Sequence, residues 1–282
     1  MKSVGWLASV TSVDEARLAL AAGADILDAK NPQAGALGAL PMHVVLGIVE
    51  VAGERATVSR PGVGEVARES HARVSATLGD LTAMDPLVLR AAALDMAATG
   101  VDLVKIGLFP AATLGACIDG MAAISARHKL VGVVLADRLL HDRHRYAVET
   151  LVPRLAAAGW YGVMLDTADK RTGGLLRHRD ARQLASFVAL AHRHGLHCGL
   201  AGSLRAADIP ALRAIGPDLL GFRGALCHAA QRTAGIHPQS LAAVARAMRS
   251  EPAPAALPVR GHGMPPGIAI QAREDLHRGD SS

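Results

Sequence analysis

ALAAGADILDAK (19–30) and MAATGVDLVKIGL (96–108) share one plan, in which an Ala- and Leu-rich stretch ends in glycine and a short apolar run follows almost at once. The plan returns in LAAAGWYGVMLDT (155–167), AHRHGLHCGLAGS (191–203) and LRAIGPDLLGFRGA (212–225). Glycine can end a helix in the left-handed conformation at little steric cost. The apolar runs are too continuous for half-exposed strands, so they indicate strands buried on both faces.

Eight such strands can be placed along the chain. We predict them at residues 4–10, 24–30, 73–80, 101–109, 130–137, 162–167, 196–203 and 219–225. Helical patterns occupy residues 13–22, 42–51, 86–99, 112–127, 148–158, 180–194, 207–215 and 238–249. Strand then helix, eight times in about 250 residues, is the pattern of a single (β/α)8 TIM barrel, an α/β fold. The alternative, an open doubly wound sheet, would place a glycine-rich phosphate turn after its first strand.

The length of 282 residues then divides into a barrel at 1–250 and a tail at 251–282. The tail is rich in proline and glycine, which predicts a flexible segment. Between the second helix and the third strand, residues 53–71 combine proline, glycine and mixed charge. We expect an extended loop there, on the face of the barrel opposite its active end.

Composition excludes several function classes. Two Trp, two Tyr and three Phe are too few for base-stacking nucleic-acid modules or for aromatic-anchored protein interfaces. The net charge of +5 comes from scattered basic residues rather than from a stripe that would bind nucleic acid. Three distant cysteines indicate neither a disulfide framework nor a zinc ribbon. No signal-peptide core or membrane-spanning run is evident, so a cytoplasmic protein is expected.

Candidate catalytic residues follow several of the predicted strands, at the barrel end where such enzymes carry their active sites. Asp28 and Lys30 close the second strand on one face, Lys105 lies within the fourth, and Asp166 ends the sixth with Lys170 just beyond it. A buried lysine is costly unless it is paired or functional.

Each lysine has two interpretations. Lys105 fits a structural ion pair with Asp28 or Asp166, but equally a desolvated amine suited to Schiff-base or proton-transfer chemistry. Lys30 could be an ordinary strand-end lysine whose ammonium reaches solvent, and Lys170 a solvated loop residue.

The last two strands indicate a phosphate site. Gly202 and Ser203 follow the seventh strand, and Arg223 and Gly224 end the eighth. Phosphate-handling barrels offer backbone amides from these loops, and an arginine can donate a fork of hydrogen bonds to phosphate oxygens. The alternative is ordinary strand-end turns. A metal site at His192, His194 and His197 is disfavoured, because positions 192 and 194 face different ways on a helix.

Several of these segments resemble the (5-formylfuran-3-yl)methyl phosphate synthase family over most of residues 4–227. They are GADILDAKNPQAGALGA (23–39), SATLGD (75–80), VDLVKIGLF (101–109), VMLDTADK (163–170), LAGSL (200–204) and FRGALC (222–227). That family makes the furan precursor of methanofuran in methanogens, and of its analogue in the one-carbon metabolism of methylotrophic bacteria. The resemblance implies a lyase that joins two molecules of glyceraldehyde 3-phosphate, with loss of phosphate and water and with no metal or organic cofactor.

The resemblance also implies roles for individual residues. Lys30 resembles the Schiff-base nucleophile, and Asp28 would act in proton transfer. Lys105, Asp166 and Lys170 look like the groups for isomerisation, condensation and elimination.

Two other functions stay open: a Schiff-base aldolase on a phosphorylated sugar, and a non-catalytic barrel that binds a phosphorylated ligand. A small phosphorylated substrate is expected in each case, with neither nucleic acid nor membrane as a partner. Assembly into a homo-oligomer also stays open.

Overall fold

The computed structural model describes residues 3–54, 57–60, 64–67, 72–139, 146–169 and 172–250, and its centre is a closed barrel of parallel strands. The strands of the described chain are β1 (Gly5–Val10), β2 (Ile26–Ala29), β3 (Thr57–Arg60), β4 (Gly64–Ala67), β5 (Arg73–Thr77), β6 (Leu103–Leu108), β7 (Lys129–Leu135), β8 (Gly162–Asp166), β9 (His197–Leu200) and β10 (Leu219–Phe222). The barrel has the order β1-β10-β9-β8-β7-β6-β5-β2, while β3 and β4 pair separately. The predicted single (β/α)8 barrel is confirmed.

Helices connect the barrel strands. They are α1 (Val13–Ala21), α2 (Met42–Gly53), α3 (Pro86–Ala97), α4 (Leu114–Gly120), α5 (Ala122–Ser125), α6 (Val148–Ala157), α7 (Leu175–His178), α8 (Ala181–Arg193), α9 (Ile209–Ile215) and α10 (Pro238–Arg249). In α8 the local cause is clear, because Asp180 and Gln183 form a reciprocal capping box at its start. Its buried side chains recur at helical spacing, at Leu184, Phe187, Val188 and Ala191.

Three expectations need correction or stay open. The loop expected at 53–71 contains an antiparallel hairpin, since β3 pairs with β4. The single helix expected at 112–127 is two helices, because α4 ends at Gly120 and the buried Met121 turns into the core before α5 begins. The predicted tail at 251–282 lies outside the described residues and stays a prediction.

The repeated glycines do end the helices, and an aspartate two residues after three of them accepts a hydrogen bond from a neighbouring strand. Gly-x-Asp recurs before β2, β6 and β10, with carboxylates at Asp25, Asp102 and Asp218. Each carboxylate accepts a backbone N–H of a neighbouring strand, at 2.8 Å from Trp6, 2.7 Å from Val74 and 2.9 Å from Cys198. These amides lie at the amino ends of the strands, so the aspartates fasten that end of the barrel and leave the carboxyl end for a site.

No helix among the described residues is both long enough and apolar enough to cross a membrane.

Candidate active site

A cavity of about 360 Å³ opens at the carboxyl ends of the barrel strands. Leu7 and Met164 contribute apolar walls, whereas the small Ala201 follows β9 and the small Gly221 lies in β10. Asp28, Lys105 and Asp166 come from β2, β6 and β8, so the cavity has an ionic wall as well as a wall of small residues; arginines from the segments after β9 and β10 also line it. Of the nine residues predicted for the site, eight line this cavity: Asp28, Lys30, Lys105, Asp166, Gly202, Ser203, Arg223 and Gly224. The ninth, Lys170, lies outside the described residues.

Four of these residues form a buried charge network, which we call the mouth cluster: Asp28, Lys30, Lys105 and Asp166. The ammonium of Lys105 lies 2.9 Å from Oδ2 of Asp28, and that of Lys30 lies 3.2 Å from Oδ2 of Asp166. The residues are between 0% and 8% exposed. Two positive and two negative charges balance, which is how a protein interior tolerates ionised groups.

Asp28 is held from three directions. Ser9 donates to its Oδ2 at 2.9 Å, Ser75 donates to its Oδ1 at 2.7 Å, and Lys105 completes the set. The strand register explains this arrangement, because Ser9 of β1 and Ser75 of β5 lie directly beside Asp28 of β2. Burial alone would raise the pKa of Asp28, but Lys105, Lys30 and the hydrogen bonds together hold it below its usual value.

The surroundings of Lys105 also shift its pKa. Burial lowers its pKa, and the nearby charge of Lys30 lowers it further, although Asp28 and Asp166 counteract part of the effect. The net direction is downward, so the Lys105 amine loses its proton more readily than a surface lysine. Asp28 and Lys105 therefore form a contacting ion pair in which the pKa of each partner is lowered.

The segment after Lys30, NPQAGALG (31–38), folds into a compact loop. The Asn31 side chain accepts the amide of Gln33 at 3.0 Å, and the Asn31 amide donates to the carbonyl of Gly38 at 2.8 Å. A side chain at Gly38 would collide with the Asn31 carbonyl, since a Cβ would lie 2.3 Å from that oxygen. The glycine is therefore required for the turn that follows Lys30.

Asp80 holds the same loop from outside. Its carboxylate accepts the amides of Ala36 at 3.0 Å and Leu37 at 2.8 Å. At Gly35, which has a φ of 126°, a Cβ would lie 2.2 Å from that carboxylate. SATLGD and the glycines of the Lys30 loop thus belong to one structural unit, which the sequence presents as two separate motifs.

The turn after β9 has an unusual backbone. Gly202 and Ser203 have φ values of 109° and 53°. Neither backbone N–H donates to another group within the described part of the chain. Two adjacent amides at a cavity wall can donate hydrogen bonds to an anion.

Arg223 does not offer the fork that the sequence predicted. Its guanidinium donates to Glu15 at 2.6 and 3.2 Å, and to the carbonyls of Ser9, Arg232 and Ala234 at 3.1, 2.9 and 2.8 Å. An arginine has five N–H groups, and all five are engaged by the protein itself. Arg223 lines the cavity but serves to fasten the loop after β10 to α1.

Sequence reasoning missed Ser9, Asp80 and Arg232. Ser9 lies inside an apolar strand, and only the register brings it to Asp28. Arg232 lies beyond the last barrel strand and reaches back across the mouth, where its Nη2 donates to the carbonyls of Pro32 and Gly35. Only the Asp of SATLGD carried a signal, because it follows a strand at the active end.

His192 and His197, which the metal hypothesis considered, lie away from this cavity. His192 contacts Asp218 at 2.8 Å, and His197 starts β9 at the amino end of the barrel. Among the described residues, no group of three or more His, Cys, Asp or Glu side chains is arranged to hold a metal ion.

Comparison with known proteins identifies the family. Residues 6–245 match the model of the family described as 4-HFC-P synthase. The chain belongs to the 4-HFC-P synthase family. A relative in Methylorubrum extorquens is 41% identical over 87% of this chain and 92% of its own length. The (5-formylfuran-3-yl)methyl phosphate synthase of Methanocaldococcus jannaschii is 36% identical over 81% of this chain and 92% of its own length. The resemblance inferred from the motifs is therefore confirmed, and membership identifies the protein as an enzyme of the synthase type.

Solved structures agree on the fold alone. Phosphoribosyl anthranilate isomerase from Thermus thermophilus has a TM-score of 0.55 at 13% identity, covering 87% of this chain and 98% of that one. A 3-hexulose-6-phosphate synthase has a TM-score of 0.53 at 17% identity, covering 86% and 99%. The barrel is thus shared with proteins of very different sequence.

Proposed function

We propose that this member of the 4-HFC-P synthase family condenses two molecules of glyceraldehyde 3-phosphate to (5-formylfuran-3-yl)methyl phosphate. One inorganic phosphate and two molecules of water would leave, which balances the atoms of the furan product. The reaction would belong to the cytoplasmic synthesis of methanofuran or its analogue. The observation that carries the proposal is the mouth cluster, because it places two buried lysines and two carboxylates in one cavity.

Lys30 is the proposed Schiff-base residue. Its ammonium lies on the cavity wall with an ion pair to Asp166 at 3.2 Å, whereas Lys105 is the more deeply buried of the two lysines. Loss of a proton from Lys30 to a carboxylate would free the amine to attack the substrate aldehyde, with water as the leaving group. An iminium at that carbon makes the adjacent carbon acidic, which is what both isomerisation and aldol-type condensation need.

Proton transfer is the proposed work of Asp28 and Lys105. Both oxygens of Asp28 already accept hydrogen bonds, and its pKa is held low, so by itself it is a weak base. The Lys105 amine, with its lowered pKa, is better suited to take and return protons in the cavity. Asp28 would keep that amine oriented and balance its charge, Asp166 would serve Lys30, and Lys170 would assist from the loop after β8.

The phosphate would bind at the wall of small residues. The amides of Gly202 and Ser203, together with Gly224 on the neighbouring loop, line the cavity there and suit an anion.

The test uses purified protein and glyceraldehyde 3-phosphate alone. A furan aldehyde absorbance should appear together with free phosphate, and borohydride reduction followed by peptide mass spectrometry should locate the adduct on Lys30. Lys30→Ala should abolish furan formation while circular dichroism stays unchanged. Lys129→Ala, which removes an exposed lysine at the opposite end of the barrel, is the matched control.

Untouched substrate, in EDTA and in added zinc alike, would refute the proposal. A trapped imine without any furan would instead favour the alternative of a Schiff-base aldolase, which the same mouth cluster could support. If Lys30→Arg kept full function, the protein would be a phosphate-binding barrel rather than a Schiff-base enzyme.

A further inference from the structure

The loop between β10 and α10 carries a cation that the proposed mechanism does not use. This loop is held at several points. Cys227 and Ile236 form an isolated antiparallel β-bridge, and Arg223 donates hydrogen bonds to the carbonyls of Arg232 and Ala234. Ala229 and Ala230 within it both have left-handed backbones, with φ values of 49° and 57°. A loop that holds two alanines in this conformation is strongly determined by its surroundings.

These contacts fix the position of Arg232 in the loop. Its side chain lines the cavity, and only its Nη2 is engaged, at 2.7 Å from the Pro32 carbonyl and 2.6 Å from the Gly35 carbonyl. Within the described residues, its Nε and Nη1 donate to no protein group. Three of its five N–H groups therefore remain for a ligand in the cavity.

Charge accounting points to an anionic ligand. The mouth cluster is balanced internally, Arg223 is balanced by Glu15, and the rim residue Arg205 has Asp208 at 3.6 Å. Of the described cationic residues that line the cavity, Arg232 alone has no carboxylate within ion-pair distance. A guanidinium with unused N–H groups is well matched to phosphate oxygens.

We propose that Arg232 is the cationic residue of the phosphate subsite, and that it makes the enzyme prefer phosphorylated over unphosphorylated aldehydes. The inference rests on the proposed function for the identity of the phosphorylated substrate. Nε and Nη1 would bind the phosphate, while Nη2 keeps its two carbonyls in the loop that follows Lys30. One side chain would thus join the bound phosphate to the backbone next to the amine that attacks the aldehyde carbon.

The first test measures binding without chemistry. Glycerol 3-phosphate has the phosphate but no carbonyl, so it can bind but cannot form an imine. Calorimetric titration of the full chain should show Arg232→Gln weakening its affinity by about 10- to 100-fold, the usual effect of losing a charged hydrogen-bonding partner. Arg205→Gln removes the same charge from the exposed rim and should change the affinity by less than about twofold.

The second test separates phosphate binding from the position of Lys30. The rate of borohydride trapping on Lys30 is compared for glyceraldehyde 3-phosphate and for glyceraldehyde. The wild-type protein should favour the phosphorylated aldehyde, and Arg232→Gln should lose that preference while still trapping glyceraldehyde at a near wild-type rate. This readout needs no furan product, so it can succeed even if the proposed overall reaction is wrong.

Equal affinity of the wild-type protein and Arg232→Gln for glycerol 3-phosphate would overturn the inference. So would an equal loss in Arg205→Gln, because that would indicate a diffuse effect of charge. Loss of trapping with both aldehydes in a folded Arg232→Gln variant would make Arg232 a positioning residue for the Lys30 loop only.

Discussion

Two groups of buried charges lie close together in this molecule and serve different ends. The mouth cluster and the Arg223–Glu15 pair both place opposite charges within about 3 Å of each other, and both are largely shielded from solvent. Arg223 has no donor left for a ligand, since Glu15 and three carbonyls take all five. Each lysine of the mouth cluster has one carboxylate contact and a place on the cavity wall.

The difference shows that burial and pairing alone do not mark a catalytic group. What distinguishes the lysines is unused hydrogen-bonding capacity that faces a cavity. In Lys105 this capacity is accompanied by a lowered pKa. The Arg223–Glu15 pair should therefore matter for stability, and the mouth cluster for stability and chemistry together.

Among the variants that compare these two groups, Lys105→Met should have the largest effect. Asp28 would be left buried without its ammonium partner, which should lower the free energy of unfolding by about 3–5 kcal/mol. Furan formation should fall by about 10²- to 10⁴-fold, the usual contribution of a proton-transferring group. Urea unfolding and the furan assay measure the two effects. Lys129→Met is the control and should change neither; normal activity in a destabilised Lys105→Met would remove Lys105 from the chemistry.

Glu15→Gln tests the Arg223–Glu15 pair and should lower the stability of the protein much more than its activity. Arg223 would keep its carbonyl bonds but lose its carboxylate, so the free energy of unfolding should fall by about 2–3 kcal/mol. Activity of the folded protein should fall by less than about tenfold. Glu54→Gln breaks the exposed pair with Arg17, at 2.8 Å, and should leave the free energy of unfolding nearly unchanged. Loss of activity as severe as in Lys105→Met would contradict the division between the two groups.

The smallest expected effect is that of Ser75→Ala, and it depends on pH. The Ser75 hydroxyl helps to hold the pKa of Asp28 low, so its removal should let that pKa rise. A carboxyl with a lowered pKa stabilises the fold above its unfolded pKa of about 3.9, and the contribution is lost as the pH falls through the folded value. The variant should therefore be about 1 kcal/mol less stable at pH 7, and the deficit should shrink as the pH falls below the unfolded pKa of the carboxyl.

Urea unfolding at several pH values checks this expectation. Ser125→Ala provides the comparison, because Ser125 donates to the carbonyl of Ala158 at 2.6 Å rather than to a carboxylate. Its stability loss should be the same at all pH values. If the stability loss of Ser75→Ala were the same in acid as at pH 7, the Ser75 hydroxyl would not influence the pKa of Asp28.

Much of the fold was predictable because it rests on local patterns. Each barrel strand lies at its predicted place along the chain, with ends that differ by at most a few residues. The strand predicted at 196–203 is shorter in the structure, His197–Leu200, since Gly202 and Ser203 already turn away. The hairpin at 57–67 was missed even though a Pro-Gly dipeptide stands between its strands, which is a turn signal in its own right.

The site was predictable only where a residue type is costly in its place. A lysine within a buried strand is unusual in itself, and for that reason Lys105 could be predicted as a site residue. Ser9 and Arg232 could not be predicted in this way, because a serine in a strand and an arginine in a loop are both ordinary. Arg223 was misread for the converse reason, since its sequence position fits a phosphate site but its partner Glu15 comes from the far end of the chain.

The pairing of β1 with β10 has a consequence for how the chain is made. Gly5 lies beside Leu219 and Ala8 beside Phe222, so β1, the first barrel strand to be synthesised, waits for the last barrel strand before its second edge is covered. Until then the growing sheet keeps two open edges, each able to pair with another chain. Arg223 follows Phe222 directly and forms an ion pair with Glu15 in α1. The last residue of the strand that closes the barrel is thus followed at once by the residue that ties the loop after β10 to α1.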